Sequence, residues 1–449
     1  MFAVMKLRPY QTNALQELRK AYAAGFRSLI LLAPSGAGKT VIFSSLCASA
    51  MQKNPAAKIL ILTDRIELGK QATRHALTTA TIMTVQSAVR RKHPKYDIII
   101  VDEAHKRTFD NFLKRPEHNG AIIIVFTATP MRQGTTKPLK DIYQKIISVT
   151  TIAELIAGGW LVPAKTYGAP LDLKSTPTRG GDYDPHALYK LFDAATLYEG
   201  VVNKYMQFAA NTKAIVFCIN VQHAYKTAEA FRARGITAEA LDGTTPEKKR
   251  EQILLKYKFG QISVLCNCDL YTTGFDEPSI ETVIINRATK SLPLFLQMAG
   301  RGSRIYCSKT HFNLIDMGNN VYTHGFWQQD REFTLQTTRK RAKGVAPVKE
   351  CKTCGAIIPA SATICEYCNA LQPVRIKKTQ TADFVELLNT NPRDMSFTEL
   401  EEYAKFKKYK FGWIIRQINQ RGDLERFRVY KGYSKGWVYT TRKIYGFAN

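Results

Sequence analysis

The sequence predicts an α/β protein of two tandem parallel-sheet lobes, followed by a small metal-binding ribbon and a basic, aromatic C-terminal domain. Three observations carry this. Short runs rich in Ile, Val and Leu alternate with helix-like stretches, the pattern of strands buried on both faces. The alternation runs twice, and only the first series carries a glycine-rich phosphate loop. After about residue 330 the composition shifts to paired cysteines, then to crowded aromatics and cations. The expected boundaries are a first lobe at 1–150, a connector at 151–200, a second lobe at 201–335, a ribbon at 345–375 and a C-terminal domain at 380–449.

In the first series the strands are RSLILLA (27–33), KILILT (58–63), TIMTV (81–85), DIIIVD (97–102) and AIIIVFTAT (121–129). The pattern weakens between 131 and 200, where Pro138, Gly158-Gly159, Pro163, Pro170, Pro177 and Gly180-Gly181 punctuate it. It restarts with KAIVFC (213–218), ITAEAL (236–241), ISVLCN (262–267), TVIINR (282–287) and FNLIDM (312–317).

The charge balance is unusual for such a chain. Sixty-five Lys and Arg against 37 Asp and Glu give +28, about +12 of it in residues 331–449. That excess points to a polyanionic partner, since each phosphate neutralised by a cation releases counterions. There is no run of 18 apolar residues, and the opening MFAVMKLRPYQ lacks the apolar core of a signal peptide. The nine cysteines do not form a secreted disulfide pattern, so a reducing, cytoplasmic setting is expected.

The stretch LILLAPSGAGKT runs from strand through glycine turn into a helix TVIFSSLCASAM. This is the context a phosphate loop requires, with Ala33 where the usual pattern has its first Gly. Backbone N–H groups of Ser35, Gly36, Ala37 and Gly38 converge on phosphate oxygens, aided by the helix N-terminus. Lys39 is expected to reach the β- and γ-phosphates and Thr40 to ligate Mg²⁺. Sixty residues on, IIIVDEAH ends an apolar strand in acid. Asp102 is assigned to the Mg²⁺ shell, on a strand expected to neighbour that of the loop, and Glu103 to polarising an attacking water. Hydrolysis of a nucleoside triphosphate follows. The stretch LFLQMAGRGSR (294–304) reads as one helix with Gln297, Arg301 and Arg304 on a single face. The two arginines are candidates for stabilising charge on the transferred phosphate.

Taken together these segments resemble the superfamily-two helicases, the DEAH-box type in particular. LRPYQ (7–11), APSGAGKT, TDRIEL (63–68), TVQSA (84–88), VDEAH, FTATP (126–130), AIVFCINVQHA (214–224), CDLYTTGFDEP (268–278) and QMAGRGSR (297–304) look like the family's motifs, in its order and spacing. The closest likeness is to the RadD-like bacterial group and similar phage helicases, in a bacterial cell or an infected host. The resemblance implies two RecA-like lobes and an ATP-dependent helicase or translocase acting on DNA, single-stranded or branched, in replication, recombination or repair. It implies that Arg8 and Gln11 contact the adenine side of ATP, with Gly274 and Asp276 on its sugar and phosphate side. His105, Thr127, Ala128 and Thr129 would couple hydrolysis to the nucleic-acid track. Arg65, Gln86 and Thr273 would touch backbone phosphates, and Gln297, Arg301 and Arg304 would complete the catalytic set. Two alternatives stay open: a translocase that remodels or anneals duplex without net unwinding, and an ATP-gated nucleic-acid clamp or loader.

CKTCGAIIPASATICEYC sets Cys351, Cys354, Cys365 and Cys368 as C-x₂-C-x₁₀-C-x₂-C, spacing that favours a thiolate Zn²⁺ site over an iron–sulfur or redox cluster or free thiols. Residues 401–449 hold 12 aromatics and 12 Lys and Arg against 4 acids. They include a short repeat, YKFGWI (409–414) and YSKGWV (433–438). Gly412 and Gly436 are expected to permit a bend. Trp413 and Trp437 either stack on unpaired bases or anchor a small core.

Overall fold

A computed structural model describes residues 7–63, 80–91, 94–102, 107–130, 139–193, 195–271, 275–335, 348–372, 392, 394–406 and 408–447. The chain divides into two compact units, Met1–Val374 and Arg375–Asn449.

The first unit contains two six-stranded sheets, each parallel throughout. Strands β1 (Ser28–Leu32), β2 (Ile59–Thr63), β3 (Thr81–Thr84), β4 (Ile98–Asp102), β5 (Ile122–Thr127) and β6 (Lys145–Ser148) lie in the order β3-β2-β4-β5-β1-β6. β2 and β4 are buried along their whole length, which is why they read as unbroken apolar runs. Asp102 ends β4, yet β4 does not neighbour β1: β5 pairs with both and separates them. The expected adjacency is therefore corrected. Parallel crossovers are long enough to skip a strand, so order along the chain does not fix order in the sheet. The intervening strand is the one that ends in Thr127.

The second sheet is built from β7 (Ala164–Gly168), β10 (Ala214–Cys218), β11 (Ala238–Leu241), β12 (Val264–Asn267), β13 (Thr282–Asn286) and β14 (Phe312–Asp316). Its order is β11-β12-β10-β13-β14-β7. The segment expected as connector thus supplies an edge strand to the second sheet. It also holds a hairpin, β8 (Thr178–Arg179) and β9 (Asp182–Tyr183), turned at Gly180 and Gly181, both at positive φ. Neither edge strand, KIIS (β6) nor AKTYG (β7), had been expected, because each is short and only partly apolar. The lobes share one core, in which Leu161, Val162, Leu296 and Trp327 pack with Ala33 and Ala37 of the phosphate loop. A last hairpin, β15 (Val348–Glu350) and β16 (Ile357–Pro359), carries the paired cysteines. It sits against β7: the Tyr367 hydroxyl donates to the Ala164 carbonyl at 3.0 Å, and Ala356 joins the core of the second lobe.

The second unit is helical: Phe397–Phe406, Phe411–Gln420, Leu424–Lys431 and Trp437–Tyr445. Ile414, Ile415 and Ile418 repeat at helical spacing and are buried with Leu400, Leu424 and Phe427. No helix among the described residues is long and apolar enough to cross a membrane.

One buried titratable group makes the second lobe sensitive to acid. His223 lies within reach of the rings of Tyr189, Phe192 and Tyr198, and its Nδ1 accepts from the Ile219 N–H. Burial pushes its pKa down to about 4, against the opposing charge of Asp193 and with help from Lys226 and Arg287. A lowered folded-state pKa means the unfolded chain binds the extra proton. Stability is therefore whole above pH 6.5 and falls as pH drops towards 4, by up to about 3 kcal/mol. Urea unfolding from pH 7 to pH 4.5 should show this slope in the wild type and a flatter one in His223→Gln.

Candidate functional site

The phosphate loop leaves β1 at Ala33, which is fully buried and donates its N–H to the Thr127 carbonyl at 2.9 Å. An alanine serves here because the methyl fills core and the position lacks the positive φ that favours glycine. Gly36 and Gly38 do have it, at φ 96° and 73°. Both also face close neighbours. A Cβ on Gly36 would sit 2.2 Å from Arg304 Nη1, and one on Gly38 would sit 2.6 Å from Gln11 Nε2. Lys39 and Thr40 begin the helix Lys39–Lys53, and Ser35 precedes the first of these glycines. The Ala37 carbonyl accepts from Gln11 Nε2 at 3.0 Å and from the Tyr10 hydroxyl at 3.2 Å. The LRPYQ segment is therefore bolted to the loop from behind.

Arg8 lies over the Trp160 ring at 4.3 Å and donates to Tyr10. Beside it opens a cavity of about 510 Å³ lined by Pro9, Tyr10, Asn13, Thr150, Glu154 and Trp160. Its aromatic and polar lining, adjoining the phosphate loop, has the size and chemistry for a purine. Nothing in the sequence reading had singled out Tyr10 or Trp160.

From the second lobe comes an arginine turn rather than an arginine helix. The helix Leu292–Ala299 is capped by Ser291 and ends at Gly300, so Gln297 is on it while Arg301 and Arg304 lie beyond. The single-face expectation is corrected. Beyond Gly300 the chain winds on in i, i+3 turns, Arg301 N–H to the Met298 carbonyl and Gly302 N–H to that of Ala299, and Gly302 packs on Phe312, where a Cβ would come within 2.4 Å of the ring. Arg301 Nη1 donates to the Phe275 carbonyl, and Arg304 Nε to Asp276 at 3.0 Å. Gln297 Nε2 and Arg304 Nη1 are buried donors that meet no acceptor among the described residues. Such a pair suits an anionic ligand, since a buried unpaired donor is costly. The turn is braced by Lys309, which sequence reasoning missed. Its Nζ donates to the carbonyls of Pro278, Ile280 and Gly302 at 2.8, 2.8 and 3.0 Å, tying the Asp276 loop to the arginine turn. Burial pushes its pKa down to about 8. Val162, just before β7, donates its N–H to the Ser303 carbonyl at 2.9 Å.

Asp102 is a buried carboxylate at the C-terminal end of β4, the sheet edge from which the phosphate loop also emerges. An oxygen donor there, with the Thr40 hydroxyl, fits a Mg²⁺ ion. Between them Thr127 is locked: its hydroxyl donates to the Thr129 carbonyl at 3.0 Å and accepts from the Thr129 N–H at 3.1 Å, across Ala128. Glu103, His105, Arg65, Thr273 and Gly274 lie outside the described residues. Gln86 is exposed on the helix Val85–Val89, capped by Thr84.

The four cysteine sulfurs converge, all within 4.8 Å of one another. Cys351 and Cys368 are 3.7 Å apart and Cys354 and Cys365 3.8 Å. A tetrahedron with bonds of about 2.3 Å has edges near 3.8 Å, so the set fits Zn²⁺. The two halves are alike. The Cys351 carbonyl accepts from Gly355 N–H and the Cys365 carbonyl from Asn369 N–H, both at 2.9 Å, with Gly355 and Asn369 at positive φ.

In the helical unit Trp413 and Trp437 are half-buried against its core. Each is paired with the tyrosine four residues earlier, Tyr409–Trp413 at 4.6 Å and Tyr433–Trp437 at 4.8 Å between ring centroids. Neither glycine has a positive φ: Gly436 lies in the turn that leads into the helix Trp437–Tyr445, as expected, whereas Gly412 lies within the helix Phe411–Gln420 and makes no bend. Gly412 instead admits Tyr445, whose ring would meet a Cβ at 2.9 Å.

Comparison with known proteins agrees with this arrangement. Residues 4–88 match the res subunit of type III restriction enzymes, and residues 197–306 match the helicase conserved C-terminal domain. The chain is 31% identical over 406 residues to the 51.5 kDa protein of a Lactococcus phage, covering 87% of itself and 89% of that protein. It is 28% identical to IRC3 of Saccharomyces cerevisiae over 69% of its own length, spanning only 51% of that relative. In fold it is similar to the ATP-dependent type ISP restriction-modification enzyme LlaBIII, solved bound to DNA, with a TM-score of 0.53 and 16% identity. That likeness covers 69% of this chain and 28% of LlaBIII.

Two outcomes test the geometry. Lys309→Met should leave nucleotide affinity near wild type while lowering kcat by up to about 100-fold, since it misplaces both arginines. Metal analysis of the purified protein should find a single zinc per chain, lost in Cys354→Ser together with protection of the ribbon from proteolysis.

Proposed function

The chain belongs to the superfamily-two helicases, and on that premise we propose that it is a DEAH-type, ATP-dependent helicase or translocase acting on DNA. The observation that carries the reading is the approach of Arg304 to Gly36, which sets an arginine of one lobe on the phosphate loop of the other. A motor of this class needs a site completed only when both lobes contribute.

In this reading Ser35, Gly36, Ala37, Gly38, Lys39 and Thr40 hold the triphosphate, and Arg8 and Gln11 set the base side with Tyr10 and Trp160. Thr40 and Asp102 would hold Mg²⁺, which supplies neutralisation of the phosphate oxygens when bound. Glu103 polarises water. Gln297, Arg301 and Arg304 take the charge that develops on the γ-phosphate, Arg304 exchanging Asp276 for it. Lobe closure is communicated through the Thr127–Ala128–Thr129 turn, which lies between the two acidic and phosphate-binding strands and is hydrogen-bonded to the loop. Arg65, Gln86 and Thr273 contact the strand's phosphates, so sequence preference is slight. His105 couples the two sites.

The test is steady-state ATP hydrolysis at fixed salt with no nucleic acid, single-stranded DNA, blunt duplex, a fork and single-stranded RNA. Strong stimulation by single-stranded or forked DNA, weak by RNA and abolished in Glu103→Gln, is expected. Stimulation by duplex alone would replace unwinding with duplex remodelling, and no stimulation would overturn the motor reading in favour of a clamp.

A further inference from the structure

The helical unit carries its own charge pattern. Three of its six described acids are paired within it: Glu401 with Lys431 at 2.7 Å, Glu425 with Arg428 at 2.6 Å and Asp423 with Arg426 at 3.4 Å. Lys408, Lys410, Lys435 and Lys443 have no acidic partner among the described residues and are all exposed. These spare cations are interleaved with apolar rings that the fold leaves in water. Tyr409 is 45% and Phe411 44% exposed in the run Lys408-Tyr409-Lys410-Phe411, and Tyr439 is 68% exposed one turn before Lys443.

The helix Trp437–Tyr445 explains the second group. Trp437, Thr441 and Tyr445 point to the core at i, i+4 spacing, which turns Tyr439, Thr440, Lys443 and Ile444 outwards. The first group is pinned rather than loose. Tyr409 packs at a tilt of 38° against half-buried Trp413, and Phe411 begins a helix whose Gly412 lies against Tyr445 of the other. A ring fixed in advance loses little entropy when it binds.

We propose that these two groups form a second nucleic-acid contact of the protein, holding an unpaired strand by stacking bases on Tyr409, Phe411 and Tyr439 while Lys408, Lys410, Lys435 and Lys443 neutralise its phosphates. Exposed rings flanked by unpaired cations need a partner that offers both flat apolar faces and negative charge. Bases expose those faces only when unpaired; in a duplex they are covered by their neighbours, and an acidic protein surface offers charge without them. The choice of DNA rests on the function proposed above. The tryptophans act as supports of the platform, with the tyrosines on its face.

The experiment uses the full chain and a fluorescent oligo-dT, with anisotropy titrations over a range of salt. Tyr409→Ala/Tyr439→Ala should weaken binding at least about tenfold while changing blunt-duplex binding less than about twofold, stacking being the larger part of each contact. Lys410→Gln/Lys443→Gln should lower the slope of log affinity against log salt by about 1.4. Tyr409→Phe/Tyr439→Phe should bind as wild type. Tryptophan emission reports whether the unit stays folded, and the Phe and Gln pairs decide the matter if the Ala pair does not. Unchanged affinity in the Ala and Gln pairs, equal losses on duplex, or equal competition by polyglutamate would each overturn the proposal. ATP hydrolysis separates the two readings. DNA-stimulated hydrolysis with unchanged oligo-dT binding sinks the surface and leaves the motor. Oligo-dT binding that responds as expected, without stimulation of hydrolysis by any nucleic acid, sinks the motor and leaves the surface.

Discussion

The contact between Arg304 and Gly36 is the constraint on which the rest depends. A guanidinium can lie against the phosphate loop only if that loop has no side chain there, so the glycine is required twice, for its φ of 96° and for its missing Cβ. The arginine in turn needs a fixed base. Lys309 gives it one by gathering three carbonyls from two loops, and Gly302 lets the turn settle on Phe312. Behind the loop, Gln11 and Tyr10 hold the Ala37 carbonyl, so neither partner of the contact is free to drift. Two lobes that would otherwise be separate α/β layers thereby meet at a polar point on the phosphate loop, with Leu161 and Trp327 in the apolar surround.

Much of this was legible in the sequence, and the reasons are physical. Strands buried on both faces leave runs such as ILILT and IIIVD, and ten of them were located within a few residues. The phosphate loop was legible because few local sequences can turn a strand into a helix with two positive-φ residues. What was not legible depended on partners distant in the chain. Edge strands β6 and β7 carry little apolar signal of their own and exist because a neighbour offers hydrogen bonds. The placing of β5 between β1 and β4 is a matter of crossover length. Lys309 stands among Ser, Thr and His with nothing local to mark it. The arginine turn was misread because i, i+3 and i+4 spacing suits a helix as well as it suits a turn, and the close packing of Gly302 in that turn depends on Phe312, ten positions on.

The helical unit shows a different division of labour. Its aromatics looked interchangeable in the sequence, yet burial sorts them: Phe427 is core, Trp413 and Trp437 are half-buried, and Tyr439 is in water. The same sorting separates its charges into those spent on one another and those left over. The tryptophans are the inner members of their pairs with Tyr409 and Tyr433.

The pairing of β7 with β14 has a consequence for the order in which the protein is made. Ala164 lies beside Phe312, so the first strand of the second sheet is placed by its last. During synthesis β7 must wait, unpaired, while some 148 residues follow it from the ribosome. The first lobe, whose β6 needs only strands already translated, is free to fold in that interval. The cysteine hairpin emerges later still and lands on the strand that waited longest. Vectorial synthesis therefore runs from the phosphate loop outwards, and the ribbon is the closing piece of the second lobe rather than an appendage to it.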